Sequence, residues 1–181
     1  MSKVYSSAVV IIPPEENWDP IQEIRKKYDR NLNRWMPHIT LLYPFRSQED
    51  YNNIAAEFLE VTKLINPFEI NLKDFNFFPS GRQTYTLWLD PRPNESIINL
   101  QSKILKLVPD CNDVNKFKNG FKPHLSVGQI KGKNNLSTVI ADLKSEWNEI
   151  KFLLNEIFFI ARDENKMSSF KIFRRYQFKD E

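Results

Sequence analysis

A single cysteine, Cys111, is all the thiol the chain contains, so neither an intramolecular disulfide nor a thiolate metal cluster can form. That scarcity fits a reducing compartment and gives the expectation of a cytoplasmic protein. Long apolar runs are missing too. The N-terminal run Ala8–Ile12 is stopped by Pro13 and Pro14, and five residues make neither a signal-peptide core nor a membrane span. Charge is nearly balanced at +3, too mild to mark a nucleic-acid binder by bulk charge. An anionic substrate stays compatible, because local field matters more than the total. Histidine is scarce as well. His38 and His124, 86 positions apart (124 − 38), are the only two, and no HxH, HExxH or CxxC spacing offers a metal-ligand set. No metal and no cofactor are expected.

What the chain does have is core-forming material. With 181 residues, 41% of them hydrophobic and 14 of them Phe, it is long enough for one domain with a sizeable core. The β-branched run Tyr5–Ile12 predicts a buried strand, and Asn17–Tyr28 a helix with Asn17 as its N-cap. A strand over Pro37–Phe45, a helix over Ser47–Ile65 and a strand over Pro67–Phe78 complete a first half. The second half repeats the order with a strand over Gln83–Asp90, a helix over Asn94–Val108, a strand over Pro123–Ile130 and a helix over Leu136–Trp147. Strands over Phe152–Ala161 and Phe170–Phe178 finish the chain, and Pro91–Pro93 and Asp110–Gly120 read as loops. The expected organisation is a single domain with lobe-forming repeats over 5–78 and 83–178.

The central strand of each half carries a related string, Pro37-His38-Ile39-Thr40-Leu41 and Pro123-His124-Leu125-Ser126-Val127. From average usage, one histidine meets such a pattern by accident roughly once in a thousand. Two accidents are a poor explanation, and duplication of a half is a better one. On a strand, residues i and i+2 share a face, so His38 points with Thr40 and His124 with Ser126. Two halves packed about a pseudo-twofold axis would set both His–hydroxyl pairs across one groove. By strict alternation Gly128 shares the face of His124 and leaves room there for substrate.

That set suits a phosphodiester. One neutral imidazole takes a proton from water or a ribose 2′-hydroxyl, and a protonated one supplies the departing oxygen. Thr40 and Ser126 donate hydrogen bonds to the non-bridging phosphate oxygens.

At these residues the chain resembles the 2H phosphoesterase superfamily, which includes 2′-5′ RNA ligase-like proteins and RNA 2′,3′-cyclic phosphodiesterases. The two H-x-T/S motifs, His38-Ile39-Thr40 and His124-Leu125-Ser126, carry the resemblance, and the order of elements extends it over nearly the whole chain. It implies an α+β bilobal fold, two pseudo-symmetric antiparallel sheets flanked by helices around a central cleft. It also implies metal-independent phosphodiester hydrolysis of a 2′,3′-cyclic phosphate or a 2′-5′ linkage. In several relatives the position five after the second histidine, here Gln129, lies at the substrate pocket, and Tyr43 is its counterpart after the first. Strict alternation turns both away from the cleft, so a bulge or twist is required to bring them in.

Other residues have two readings. Trp35, Tyr43, Phe45, Tyr85, Trp88 and Phe121 could stack a base, or could simply be core. Arg174, predicted to share a face with Ile172 and Tyr176, could hold a phosphate or make a structural ion pair. Lys116, Lys118, Lys122, Lys131 and Lys133 form either a solvated face or a basic rim that concentrates RNA. The expected partner is a nucleotide or RNA-end substrate, with no membrane, no obligate protein partner and a monomeric state. The alternative function is a nucleotide-binding module that uses the same cleft without turnover. Coincidental motifs in a structural domain would instead leave the two imidazoles far apart.

Overall fold

The computed structural model describes residues 1–116, 120–163 and 168–180. The chain opens with β1 (Lys3–Val4) and β2 (Ser7–Ile11), then α1 (Trp18–Tyr28), β3 (Ile39–Leu42) and β4 (Phe45–Arg46). Helix α2 (Tyr51–Thr62) leads into a long hairpin of β5 (Phe68–Gly81) and β6 (Thr84–Arg92). Helix α3 (Asn94–Leu105), β7 (Leu125–Lys131) and α4 (Lys133–Glu146) follow, then β8 (Ile150–Leu154), β9 (Glu156–Ala161) and β10 (Lys171–Gln177).

Two antiparallel four-stranded sheets result. The first has the order β10-β9-β2-β3, the second β7-β6-β5-β8, and β1 pairs with β4 as a small separate ribbon. The halves of the sequence do not each build one sheet. Strand β5, from the first half, lies in the second sheet, and β9 and β10, from the end of the chain, complete the first. The predicted strand over Phe152–Ala161 is in fact two strands, one in each sheet, divided at Asn155. Lys118 lies outside the described residues.

Helices cover the outer faces and cross between the sheets: α1 packs on β7, α2 on β10, and α4 on β5 and β7. Strand β2 shows no alternation because both its faces are covered. Val9 and Ile11 join the main core with Ile39, Leu42 and Phe159, while Ala8 and Val10 join a second apolar cluster with Phe158, Ile160 and Phe170. A strand buried on both sides reads as a continuous apolar run. Helix α1 begins one residue later than predicted, after a short 3-10 turn, and Asn17 makes no side-chain capping bond.

Candidate active site

Strands β3 and β7 are the facing edges of the two sheets and touch each other. Each histidine lies just before its strand. The His38 Nδ1 is 2.7 Å from the Met36 carbonyl oxygen, and the His124 Nδ1 is 2.8 Å from that of Lys122. A carbonyl can only accept, so Nδ1 is the donor in both rings and Nε2 is the nitrogen left for substrate. In each string the proline sits between the histidine and the residue whose carbonyl holds it, which makes the two arrangements equivalent.

Aromatic rings fix both imidazoles. Trp35 stacks on His38 with centroids 4.7 Å apart and an angle of 17°. Phe170 stacks on Trp35 at 3.7 Å, and Tyr43 meets Trp35 edge-on at 5.5 Å. Around His124, Phe78 and Trp88 meet the ring edge-on at 5.1 and 5.9 Å and stack on each other at 4.8 Å. These rings cover part of each imidazole, which stays partly exposed, and that partial burial disfavours imidazolium in both rings. Burial pushes the His38 pKa down to about 4; the Arg25 and His124 charges add to this, while its bond to Met36 and the charge of Asp29 oppose it. The His124 pKa is also lowered, first by burial and then by Lys122, against the bond to the Lys122 carbonyl. Contact between β3 and β7 sets the two histidine strings beside each other.

Thr40 and Ser126 are partly exposed on the inner faces, and neither hydroxyl makes a hydrogen bond to another described residue. Beyond them both strands bulge at the corresponding place. On β3, Thr40 and Leu42 pair with the consecutive residues Val10 and Val9; on β7, Ser126 and Gly128 pair with the consecutive residues Trp88 and Leu87. The extra residues are Leu41 and Val127, each three after its histidine. Each bulge resets the alternation, so Tyr43 and Gln129 return to the inner side, and the bulge that the resemblance required is present.

The same bulge corrects the reading of Gly128. It faces away from the cleft, buried against the end of α1, where a Cβ would stand 2.4 Å from the Tyr28 Cβ. Its bareness makes room for a helix, not for substrate. Arg174 does not join the site either. A bulge between Ile172 and Arg174 puts these two on opposite faces, and Arg174 donates from Nη2 to Asn52 Oδ1 on α2. Arg175 takes the inner face instead, over the Phe158 ring and 3.5 Å from Glu156. Phe45 is fully buried core, and Tyr85 and Phe121 are partly buried against the core. Lys122 lies 5.6 Å over the Trp88 ring, and Lys116 pairs with Asp113 at 2.8 Å.

One element of the site has no clear mark in the sequence. Arg25, buried to 2% exposure, donates to Asp29 Oδ2 at 2.8 Å, to Gln22 Oε1 at 2.9 Å and to the Trp35 carbonyl at 2.8 Å. Asp29 Oδ1 accepts from the Asn31 N–H at 2.9 Å and from Gln129 Nε2 at 3.4 Å, while Gln129 Oε1 accepts from the Arg30 N–H at 3.2 Å. The pair thus ties the ring partner of His38 to the strand that carries Ser126. An Arg–Asp spacing of four at a helix end reads in sequence as a solvated surface pair, and only the fold buries it.

Known proteins share this architecture. A Thermus thermophilus protein, TT0787, superposes with a TM-score of 0.66 at 16% identity, over 97% of this chain and 98% of its own. Escherichia coli LigT complexed with 3′-AMP gives a TM-score of 0.65 at 15% identity, over 99% and 100%. Among sequences, a candidate phosphoesterase of Bacillus licheniformis is 26% identical over 137 residues, 75% of this chain and 78% of that protein. One from Geobacillus kaustophilus is 28% identical over 123 residues, 67% of each chain. Residues 13–166 match the 2′-5′ RNA ligase superfamily, and with the two-sheet 2H phosphoesterase fold around its cleft the chain belongs to that superfamily.

Proposed function

We propose that this protein is a phosphodiesterase that hydrolyses RNA-type phosphate esters, a 2′,3′-cyclic phosphate or a 2′-5′ linkage, by general acid–base catalysis between His38 and His124. The observation that carries the reading is the equivalence of the two imidazoles, each held at Nδ1 by the carbonyl two residues back. Nε2 of one ring takes the proton of the attacking water as the new P–O bond forms. Nε2–H of the other delivers a proton to the ribose oxygen as the old P–O bond breaks. The unpartnered hydroxyls of Thr40 and Ser126 stabilise charge on the non-bridging oxygens. The chemistry needs no metal, since two imidazoles and two hydroxyls supply every proton transfer and every donor. LigT is known with 3′-AMP bound, which makes a nucleotide a reasonable occupant for the equivalent cleft here.

The test is turnover of a panel of 2′,3′-cyclic nucleotides and 2′-5′-linked dinucleotides with EDTA present. His38→Ala and His124→Ala should each lower kcat by about 10²–10⁴-fold. Thr40→Val and Ser126→Ala should lower it by a smaller factor, about 10–100-fold. A His38→Ala protein working at the wild-type rate would sink the assignment. Tight nucleotide binding by a wild-type protein that turns nothing over would favour the binding module.

A further inference from the structure

The side chains of Arg25 and Asp29 are only 2% and 4% exposed, so an oppositely charged pair lies inside the molecule at the end of α1. Taking two charges out of water is costly, and apolar side chains of the same volume often stabilise a fold as well or better. What such a pair supplies is direction, because each hydrogen bond fixes an angle as well as a distance.

The Arg25 guanidinium uses all three nitrogens: Nε on Asp29, Nη1 on Gln22 and Nη2 on the Trp35 carbonyl. The last bond fixes the residue whose ring stacks on His38. The same segment is tied to the residue before β10, where the Phe170 N–H donates to the Arg34 carbonyl at 2.9 Å. Asp29 carries the connection across to the second sheet. Its Oδ1 accepts from Gln129 Nε2, and Gln129 Oε1 accepts from the Arg30 N–H, so both ends of that amide are held by the protein. Gln129 lies on β7, five residues after His124, and its neighbour Gly128 receives the end of α1 at Tyr28. One helix end therefore holds the support of His38 and also grips the strand that follows His124.

We propose that Arg25, Asp29 and Gln129 form a positioning strut that sets the place of the His38 ring relative to His124, and that Gln129 acts there rather than on substrate. This rests on the phosphodiesterase reading and deepens it, since acid–base catalysis by two rings needs both at fixed distances from one phosphorus. A misplacement of about 1 Å costs on the order of 100-fold in rate. The three residues act through Trp35 and β7, not on the reacting atoms.

Two variants keep the charge of the strut and break its geometry. Arg25→Lys retains the positive charge without the planar fork. Gln129→Leu removes both amide bonds at a partly exposed position. In each, kcat on a 2′,3′-cyclic nucleotide should fall about 10–100-fold while KM stays within about threefold. The double variant should be no slower than the worse single one, because the parts of one strut fail together. Lys26→Gln, on the exposed side of α1, should leave both constants unchanged. A folded Gln129→Leu protein with unchanged kcat overturns the strut. So does one whose KM rises about tenfold at constant kcat, which would make Gln129 a substrate contact. The ring Hε1 signals of the two histidines read the same geometry by NMR without turnover, and His38→Gln assigns them. Gln129→Leu should move the His38 signal, and an unmoved signal in the folded protein overturns the strut. Should Arg25→Lys not fold, Gln129→Leu decides alone. If the wild type hydrolyses nothing, the phosphodiesterase reading fails, and the NMR spectrum of Gln129→Leu still decides the strut.

Discussion

Two imidazoles held neutral cannot by themselves supply a general acid. With the His38 pKa near 4 and that of His124 lowered too, burial favours the neutral form of both rings in the unliganded site. A bound phosphate reverses this, because an anion beside a buried ring favours its charged form. The sign follows from the free value. Near pH 6 the free His38 ring is neutral, the anion raises the pKa of a ring toward or past 6, and binding takes up protons. Calorimetry of 3′-AMP binding at pH 6 in buffers of different ionisation enthalpy should therefore show net proton uptake. His38→Gln should lose part of it, and heats independent of buffer would contradict the argument. The histidine strings themselves are legible in the sequence, because the same uncommon pattern occurs twice. What surrounds them is less so. Phe78 lies 46 positions before His124 (124 − 78), and only the pairing of β5 with β6 brings its ring there. Arg25 and Asp29 are hidden for another reason, since nothing local distinguishes a buried ion pair from an exposed one.

At the level of elements, the bulges decide which side chains reach the cleft. Alternation alone sends Tyr43 and Gln129 out and Gly128 in, and one extra residue per strand inverts both results. A bulge leaves little trace in apolar patterning, so the strands are legible here while the faces of their far ends are not. At Gly128 the consequence is measurable. A methyl group there meets the Tyr28 Cβ at 2.4 Å and the backbone carbon and oxygen of Tyr28 at 3.0 Å, so flexible side-chain movement cannot relieve it. Helix α1 must shift from β7, and overpacking of this kind costs about 1–3 kcal/mol. The shift also moves the segment from Asp29 to Trp35 that backs His38. Gly128→Ala should lower the thermal midpoint by several degrees and reduce kcat more than it raises KM. An unchanged midpoint would show that the close approach does not exist. Helix boundaries are legible to within a few residues, because apolar spacing and prolines mark them locally. The division of 152–161 into two strands is not, because both pieces are apolar and only pairing to different sheets separates them.

For the whole molecule, the exchange of strands between halves has the largest consequence. A repeat in sequence invites the picture of two lobes, each folding from its own half. The topology excludes it: β2 needs β9 from the end of the chain beside it, and β5 needs β6 and β8 from the second half. Cut between β5 and β6, the piece 1–82 keeps β2, β3 and β5 but none of the strands that pair with β5, and Val9, Val10 and Ile11 lose the sheet edge that enclosed them. Burial lost on that scale exceeds the few kcal/mol by which a domain of this size is stable. The piece 1–82 should then show no near-ultraviolet dichroism and no cooperative melting, whereas the whole chain should unfold in one transition by near- and far-ultraviolet signals alike. Mixing 1–82 with 83–181 should restore the fold, because β5 and β9 each find the neighbour left on the other piece. A cooperative melt of 1–82 alone would mean that the first half is an autonomous lobe. The two histidines would then be held together only by docking of independent units, and their spacing would no longer be fixed by one interlocked core.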